Sequence, residues 1–232
     1  MIVGKSTTGD GANTRFGLVS GYDTKPRRRL FEILQAQGLQ MNQAITFLTD
    51  GGDTVRDLTE GHGPLASHKL DWFHITMRLM VLSQMAKGVP VEHKGEKFEE
   101  ELERVKWLLW HSNVYKVLQV LEWLELDIDA EASSEARKLA RTLHEFDQYI
   151  RTNQSSIPNY GDRYRNEEAI CSAVAESTVN QVVSRRFVKK QQMRWTRRGA
   201  HLLLQIRTRV LDDTLAATFQ RWYPGMETGE PH

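Results

Sequence analysis

The stretch that most constrains the fold runs from Ala44 to His74 and contains two short apolar segments. The first, Ala44 to Leu48, is rich in strand-forming residues and ends at Asp50-Gly51-Gly52, which predicts a buried strand with the Asp50 carboxylate at its C-terminal tip. In open α/β sheets, ligands bind outside the carboxyl ends of the strands, so Asp50 is a candidate ligand for a cation. The alternative is that Asp50 only forms an Asx-turn or caps the helix after the glycines.

A second acid follows at the end of the next apolar segment. The run Lys69-Leu70-Asp71-Trp72-Phe73-His74 places Asp71 and His74 at a predicted second strand tip, in the spacing Asp-x-x-His. The two polar tips are expected at one edge of a sheet. For His74, an equally open alternative is a capping or core histidine.

The remaining pattern predicts a chain that begins with strands and continues with helices. Pro26 in a first turn and Gly38 after the last apolar position delimit a helix at residues 26–37. A strong helical period returns after His74 and ends at Gly88. The other predicted elements are a hairpin of Met1–Lys5 with Thr14–Ser20, a short helix at 54–58, two or three helices in 94–150, and a last helical region at 166–218 that breaks near Thr196 and Gly199.

Composition narrows the class of protein. The single cysteine, Cys171, excludes a disulfide framework and a thiolate zinc cluster and is typical of a reducing compartment, so a cytoplasmic location is expected. No run of 18 apolar residues exists, which argues against a membrane span. The net charge of +1 gives no indication of a partner, so the distribution of charge has to be considered instead.

One region has a strongly one-sided charge. Residues 177–211 contain nine Lys and Arg and no acid, whereas residues 94–131 contain ten acids and five Lys and Arg. A basic run without counter-charges favours phosphate binding, because each contact with a phosphate releases a condensed counterion. A solvated helix face is the alternative. The predicted DNA-binding residues are Arg185, Arg186, Lys189, Lys190, Arg194, Arg197 and Arg198.

A third acid, Glu176, lies beside this basic run, 126 positions after Asp50. Carboxylate oxygens with water and phosphate suit Mg²⁺ or Mn²⁺. In a two-metal site, one cation activates the attacking oxygen and the other stabilises the leaving oxygen of a phosphoryl transfer. The acids therefore predict phosphodiester chemistry on a nucleic acid.

Several stretches in this order resemble bacterial insertion-sequence transposases of the DDE type, most closely the Kra-type family. The similarity covers essentially the whole chain and is carried by FLTDGGDTVRDL, LDWFHITMRL, AESTVNQVVSRR and KKQQMRWTRRGAHLLLQIRTRVL. It implies an α/β, ribonuclease-H-like mixed sheet with an all-helical insertion, and DNA cleavage and strand transfer with two Mg²⁺. Asp50 and Glu176 would be the second and third acids and the metal ligands, with Asp71 and His74 supporting the site. The implied divisions are residues 1–89, the insertion 90–165, the C-terminal core helices 166–223 and a frayed tail 224–232.

The first catalytic acid of that family has no counterpart before Asp50. Asp10 and Asp23 lie in polar, loop-like surroundings, and Glu32 lies in the predicted first helix. The chain is therefore expected to be the C-terminal part of a transposase, without the first strand and inactive alone, with a homo-oligomer on DNA as an open alternative to a monomer. Two alternatives remain open: a non-catalytic DNA-binding or inhibitory remnant, and a purely structural role for the acids and the basic run.

Overall fold

The structure, a computed structural model, describes residues 1–172, 182–183 and 195–225. The elements in chain order are β1 (Ile2–Thr7), β2 (Asn13–Leu18), α1 (Pro26–Ala36), β3 (Ile45–Thr49), α2 (Asp53–Thr59), β4 (Ala66–Leu70), α3 (Trp72–Ala86), α4 (Phe98–Trp110), α5 (Val114–Asp127), α6 (Ser134–Asn153), α7 (Tyr160–Arg165), α8 (Arg197–Leu211) and α9 (Leu215–Trp222), with 3-10 turns at Val91–His93 and Gln154–Ser156.

The α/β class predicted from the sequence is confirmed, with more helix than strand. The four described strands pair as two separate two-stranded sheets, β1 with β2 and β3 with β4. A continuous ribonuclease-H-like sheet is therefore not formed by these strands, and that fold stays a prediction. The chain divides into two compact units: Met1–Ala44, Asp57–Ala66 and Ala173–His232 form the first, and Ile45–Arg56 and Ser67–Ser172 form the second. The predicted domain boundaries stay predictions.

The first unit is built on the predicted hairpin. β1 and β2 are antiparallel, with Ile2 opposite Leu18 at the open end and Thr7 opposite Asn13 beside the turn. Helix α8 packs on β2, where the Gln205 side chain donates a hydrogen bond of 2.7 Å to the Gly17 carbonyl. A small core of Val19, Val182, Ala200 and Leu204 lies in this unit.

The second unit combines β3 and β4 with α3 to α7. The contacts between β3 and β4 follow the same direction along both strands. Thr46 lies beside Ser67, and three residues later the Thr49 carbonyl accepts a hydrogen bond of 2.8 Å from the Asp71 backbone N–H. This arrangement is that of a parallel β-α-β pair with α2 in the connection. An apolar core runs from Leu70 through the helices to Tyr160. None of the described helices is long and apolar enough to cross a membrane.

Candidate functional site

The Asp50 turn follows β3 directly, as predicted. Asp50 is exposed, and its Oδ1 accepts a hydrogen bond of 3.0 Å from the Gly52 backbone N–H, which is an Asx-turn. Gly51 is buried with φ of 81°, a left-handed conformation that favours glycine. The turn interpretation of Asp50 is thus confirmed. It does not exclude a cation, because the carboxylate still faces solvent.

Helix α6 holds this turn in place. The Tyr149 hydroxyl donates to the Asp50 carbonyl at 3.0 Å, although 99 positions separate the two residues. The Arg56 guanidinium donates to the Asn153 Oδ1 at 3.0 Å and to the Gly51 carbonyl at 3.3 Å. A Cβ on Gly51 would lie 2.9 Å from the Asn153 Oδ1, so helix and turn are in close contact. The position of the Asp50 backbone therefore depends on residues of the helical segment.

Asp71 is completely buried, and each of its carboxylate oxygens accepts at least one hydrogen bond. Oδ1 accepts from the Phe73 backbone N–H at 2.9 Å, which makes Asp71 the N-cap of α3. Oδ2 accepts from both the backbone N–H, at 3.0 Å, and the hydroxyl of Ser172. With these oxygens committed, Asp71 is a structural anchor and does not face a ligand. The predicted role of Asp71 in supporting a catalytic site stays a prediction.

The prediction of a strand tip at His74 is wrong. The strand ends at Leu70, and His74 lies in the first turn of α3. The physical reason is the Asp71 cap, which starts a helix at residues that otherwise favour strands, Trp72 and Phe73. The His74 Nε2 lies 4.0 Å from the Asp71 Oδ2, which is beyond hydrogen-bond distance. A supporting role for His74 in a site stays a prediction.

A second histidine, His68, connects the strand end to the helical segment. Its Nε2 lies 2.6 Å from the Thr49 hydroxyl and its Nδ1 lies 2.9 Å from the Ser156 hydroxyl. Burial lowers the pKa of His68, and the charges of Arg56 and Lys69 act in the same direction. The neutral ring is thus favoured between two hydroxyl groups, next to the Asp50 turn.

The two other acids that precede Asp50 and could be cation ligands are both held in turns. Asp10 accepts from the Ala12 backbone N–H at 3.1 Å in the hairpin loop. The Asp23 side chain accepts from the Lys25 backbone N–H at 3.0 Å and pairs with Arg29. Both carboxylates thus stabilise local turns, which explains these aspartates without a bound cation.

The fit of a divalent cation depends on a residue outside the described part of the chain. Within residues 1–172, 182–183 and 195–225, no three His, Cys, Asp or Glu side chains come together to hold a metal ion. Asp50 offers one exposed carboxylate, whereas the Asp71 carboxylate is completely buried and does not face solvent. Glu176 lies outside the described residues, so the predicted pairing with Asp50 stays a prediction.

Most of the predicted DNA-binding residues also lie outside the described ranges: Arg185, Arg186, Lys189, Lys190 and Arg194. Arg197 and Arg198 are exposed at the first turn of α8. Thr196 caps that helix, with its hydroxyl accepting from the Gly199 backbone N–H at 3.0 Å. Both residues thus belong to the first turn of a helix, where the positive end of the helix dipole attracts phosphate.

Sequence reasoning missed Tyr149, Asn153 and Ser172, which hold the two strand ends. Tyr149 and Asn153 lie one helical turn apart in α6, and the Asn153 side chain donates to the Tyr149 carbonyl at 2.9 Å. Two polar residues at the end of an amphipathic helix were the only local signal.

Comparisons with protein-family models, with curated proteins and with solved structures gave no match to this chain.

Proposed function

We propose that this chain acts on DNA in transposition and is related to DDE-type transposases, with Asp50 and Glu176 as the second and third acids. The observation that carries the proposal is the Asp50 turn: an exposed carboxylate at the C-terminal end of β3, beside the end of β4 and held by α6. Such an edge is where α/β proteins bind ligands. Asp50 and Glu176 would hold Mg²⁺ or Mn²⁺ together with phosphate oxygens, and the cation would supply activation of the attacking oxygen.

A second candidate function is non-catalytic DNA binding, including inhibition of a complete transposase by joining it in mixed oligomers. The observation in its favour is that Asp71, Asp10 and Asp23 are all held in structural contacts. Two assigned acids, Asp50 and Glu176, leave the three-carboxylate set of the family incomplete. We therefore expect DNA binding from this chain, but no DNA cleavage by it alone.

The test of DNA binding is a fluorescence-anisotropy titration of the full chain with duplexes of two unrelated sequences over a range of salt concentrations. Affinity should fall steeply with salt and differ little between the sequences, because phosphate contacts carry no base information. Replacing Arg185, Arg186, Lys189 and Lys190 by Gln should reduce the slope of log K against log salt by up to about 3 to 4.

A matched control removes the same number of charges elsewhere. Four basic residues of the helical segment each pair with a carboxylate, and their replacement by Gln should leave the slope unchanged: Arg104, Lys106, Arg137 and Arg165. Equal effects of the two quadruple variants would contradict a DNA-binding role for the basic run. Cleavage or strand transfer by the chain alone with Mn²⁺ would contradict the expected inactivity and favour a complete enzyme.

A further inference from the structure

Arg78 is connected to the Asp50 turn through the side chain of Tyr149, which contacts both. Its guanidinium carbon is 4.1 Å from the centroid of the Tyr149 ring, and the hydroxyl of that ring donates to the Asp50 carbonyl at 3.0 Å. Arg78 is on α3, one turn after His74, and Tyr149 is on α6. Two helices thus bring a cationic group and an exposed carboxylate to one place in the second unit.

The electrostatics keep this arrangement intact at neutral pH. Burial raises the pKa of Tyr149 to about 12, and the Arg78 charge acts in the opposite direction. The phenol therefore stays protonated and continues to donate to Asp50. Arg78 is exposed, and within the described ranges no carboxylate lies at ion-pair distance from it. A guanidinium that stacks on an aromatic face retains its N–H edge for a planar anion such as phosphate.

A groove adjoins this guanidinium between α3 and α6. Its volume is about 320 Å³, and it is lined by His74, Met77, Arg78, Val81, Leu82, Thr142, Glu145 and Phe146. The acid of the groove, Glu145, pairs with Arg141 at 3.3 Å, which offsets its charge. Arg78 is therefore the charged group of this groove that is available to an anionic ligand. The volume lies at the lower end of the range for small-ligand sites.

We propose that Arg78 binds a phosphate of the DNA strand that meets Asp50, and that Tyr149 is a positioning residue for both. This inference rests on the proposed function, because a phosphodiester next to Asp50 requires DNA as the ligand. A carboxylate repels phosphate, so positive charge beside Asp50, in addition to that of a bound cation, favours a DNA strand at this edge. Arg78 supplies that charge from the protein, in a position fixed by the Tyr149 ring.

The test compares four variants of the full chain in the same anisotropy titration. Arg78→Gln should reduce the salt slope by about 1, the value for one phosphate contact, and weaken binding several-fold at low salt. Arg78→Lys should keep the slope but bind more weakly, because the bidentate geometry is lost. Tyr149→Leu removes the platform and should reproduce the effect of Arg78→Gln on the salt slope, whereas Tyr149→Phe keeps the ring under Arg78 and loses only the hydrogen bond to Asp50, so its salt slope should fall much less than that of Tyr149→Leu.

The double variant Arg78→Gln with Tyr149→Leu separates positioning from general structure. If Tyr149 acts through Arg78, the double variant should bind no more weakly than Arg78→Gln alone. Independent, additive losses would contradict the positioning role. Arg104→Gln, on α4, is the control of equal charge and should leave the slope unchanged.

The outcomes distinguish this inference from the proposed function. Absence of DNA binding by the wild-type chain would overturn both. DNA binding with an unchanged slope in Arg78→Gln would overturn only the role of Arg78, and the basic run would then account for the phosphate contacts.

Discussion

Replacing Gly51 by alanine tests whether the Asp50 turn is as closely packed as the structure indicates. A Cβ at this position would lie 2.6 Å from the Leu70 Cδ1 and 2.9 Å from the Asn153 Oδ1. The left-handed backbone costs about 1 kcal/mol for alanine, and forcing a methyl group into a packed site adds roughly 1 to 3 kcal/mol. We therefore expect Gly51→Ala to lower the free energy of unfolding by about 3 kcal/mol, a large fraction of the stability of a typical domain.

The control is Gly95→Ala in the same unit. Gly95 has a similar φ of 83°, but the nearest atom to its added Cβ is a carboxylate oxygen of the exposed Asp127 at 3.3 Å, which can rotate away. This control should lose only about 1 kcal/mol. Urea unfolding followed by tryptophan fluorescence is a suitable assay, because Trp72, Trp107, Trp110 and Trp123 all lie in the second unit. Equal losses in the two variants would refute the close packing of helix α6 against the turn.

Two further predictions concern the strand ends. Asp71→Ala should lower the free energy of unfolding by about 3 kcal/mol, because the backbone N–H groups of Phe73 and Ser172 lose a charged acceptor; urea unfolding checks this, and a loss no greater than that of Ser172→Ala would contradict the anchoring role. His68 has a pKa below its ordinary value of 6.5, so the stability that its neutral form contributes is present above pH 6.5 and is lost as the pH falls toward the folded pKa. The melting temperature of the wild type should therefore fall more between about pH 7.5 and pH 5 than that of His68→Gln, and parallel pH profiles would contradict this role.

Local signals were enough to predict the elements that lead into the site. Pro26 and Gly38 delimit α1, which the structure places at Pro26–Ala36. The apolar run before Asp50 forms β3 at Ile45–Thr49. These elements depend on turn residues and short-range periodicity, which can be recognised from the sequence alone.

The site itself depends on long-range contacts that have no local signal. Tyr149 and Asp50 are 99 positions apart, and Ser172 and Asp71 are 101 positions apart. The helix after His74 is predicted from its periodicity, but its first turn, with His74, is predicted as a strand end because Trp72 and Phe73 favour strands. The hydrogen bond that decides otherwise is made by the buried carboxylate of Asp71 to the Phe73 backbone. The hydrophobic pattern does not contain that information.

The most direct test of the account is whether a divalent cation binds at Asp50. Mn²⁺ broadens the NMR signals of nearby nuclei, so a titration of the ¹⁵N-labelled chain locates even weak binding. We expect selective broadening of the amide signals of residues 49–53, and its loss in Asp50→Asn. The amide keeps an oxygen that can accept from the Gly52 N–H and so preserves the turn, while it removes the negative charge. Broadening that persists in Asp50→Asn, or that occurs only elsewhere in the chain, would contradict the assignment of Asp50 as a metal ligand.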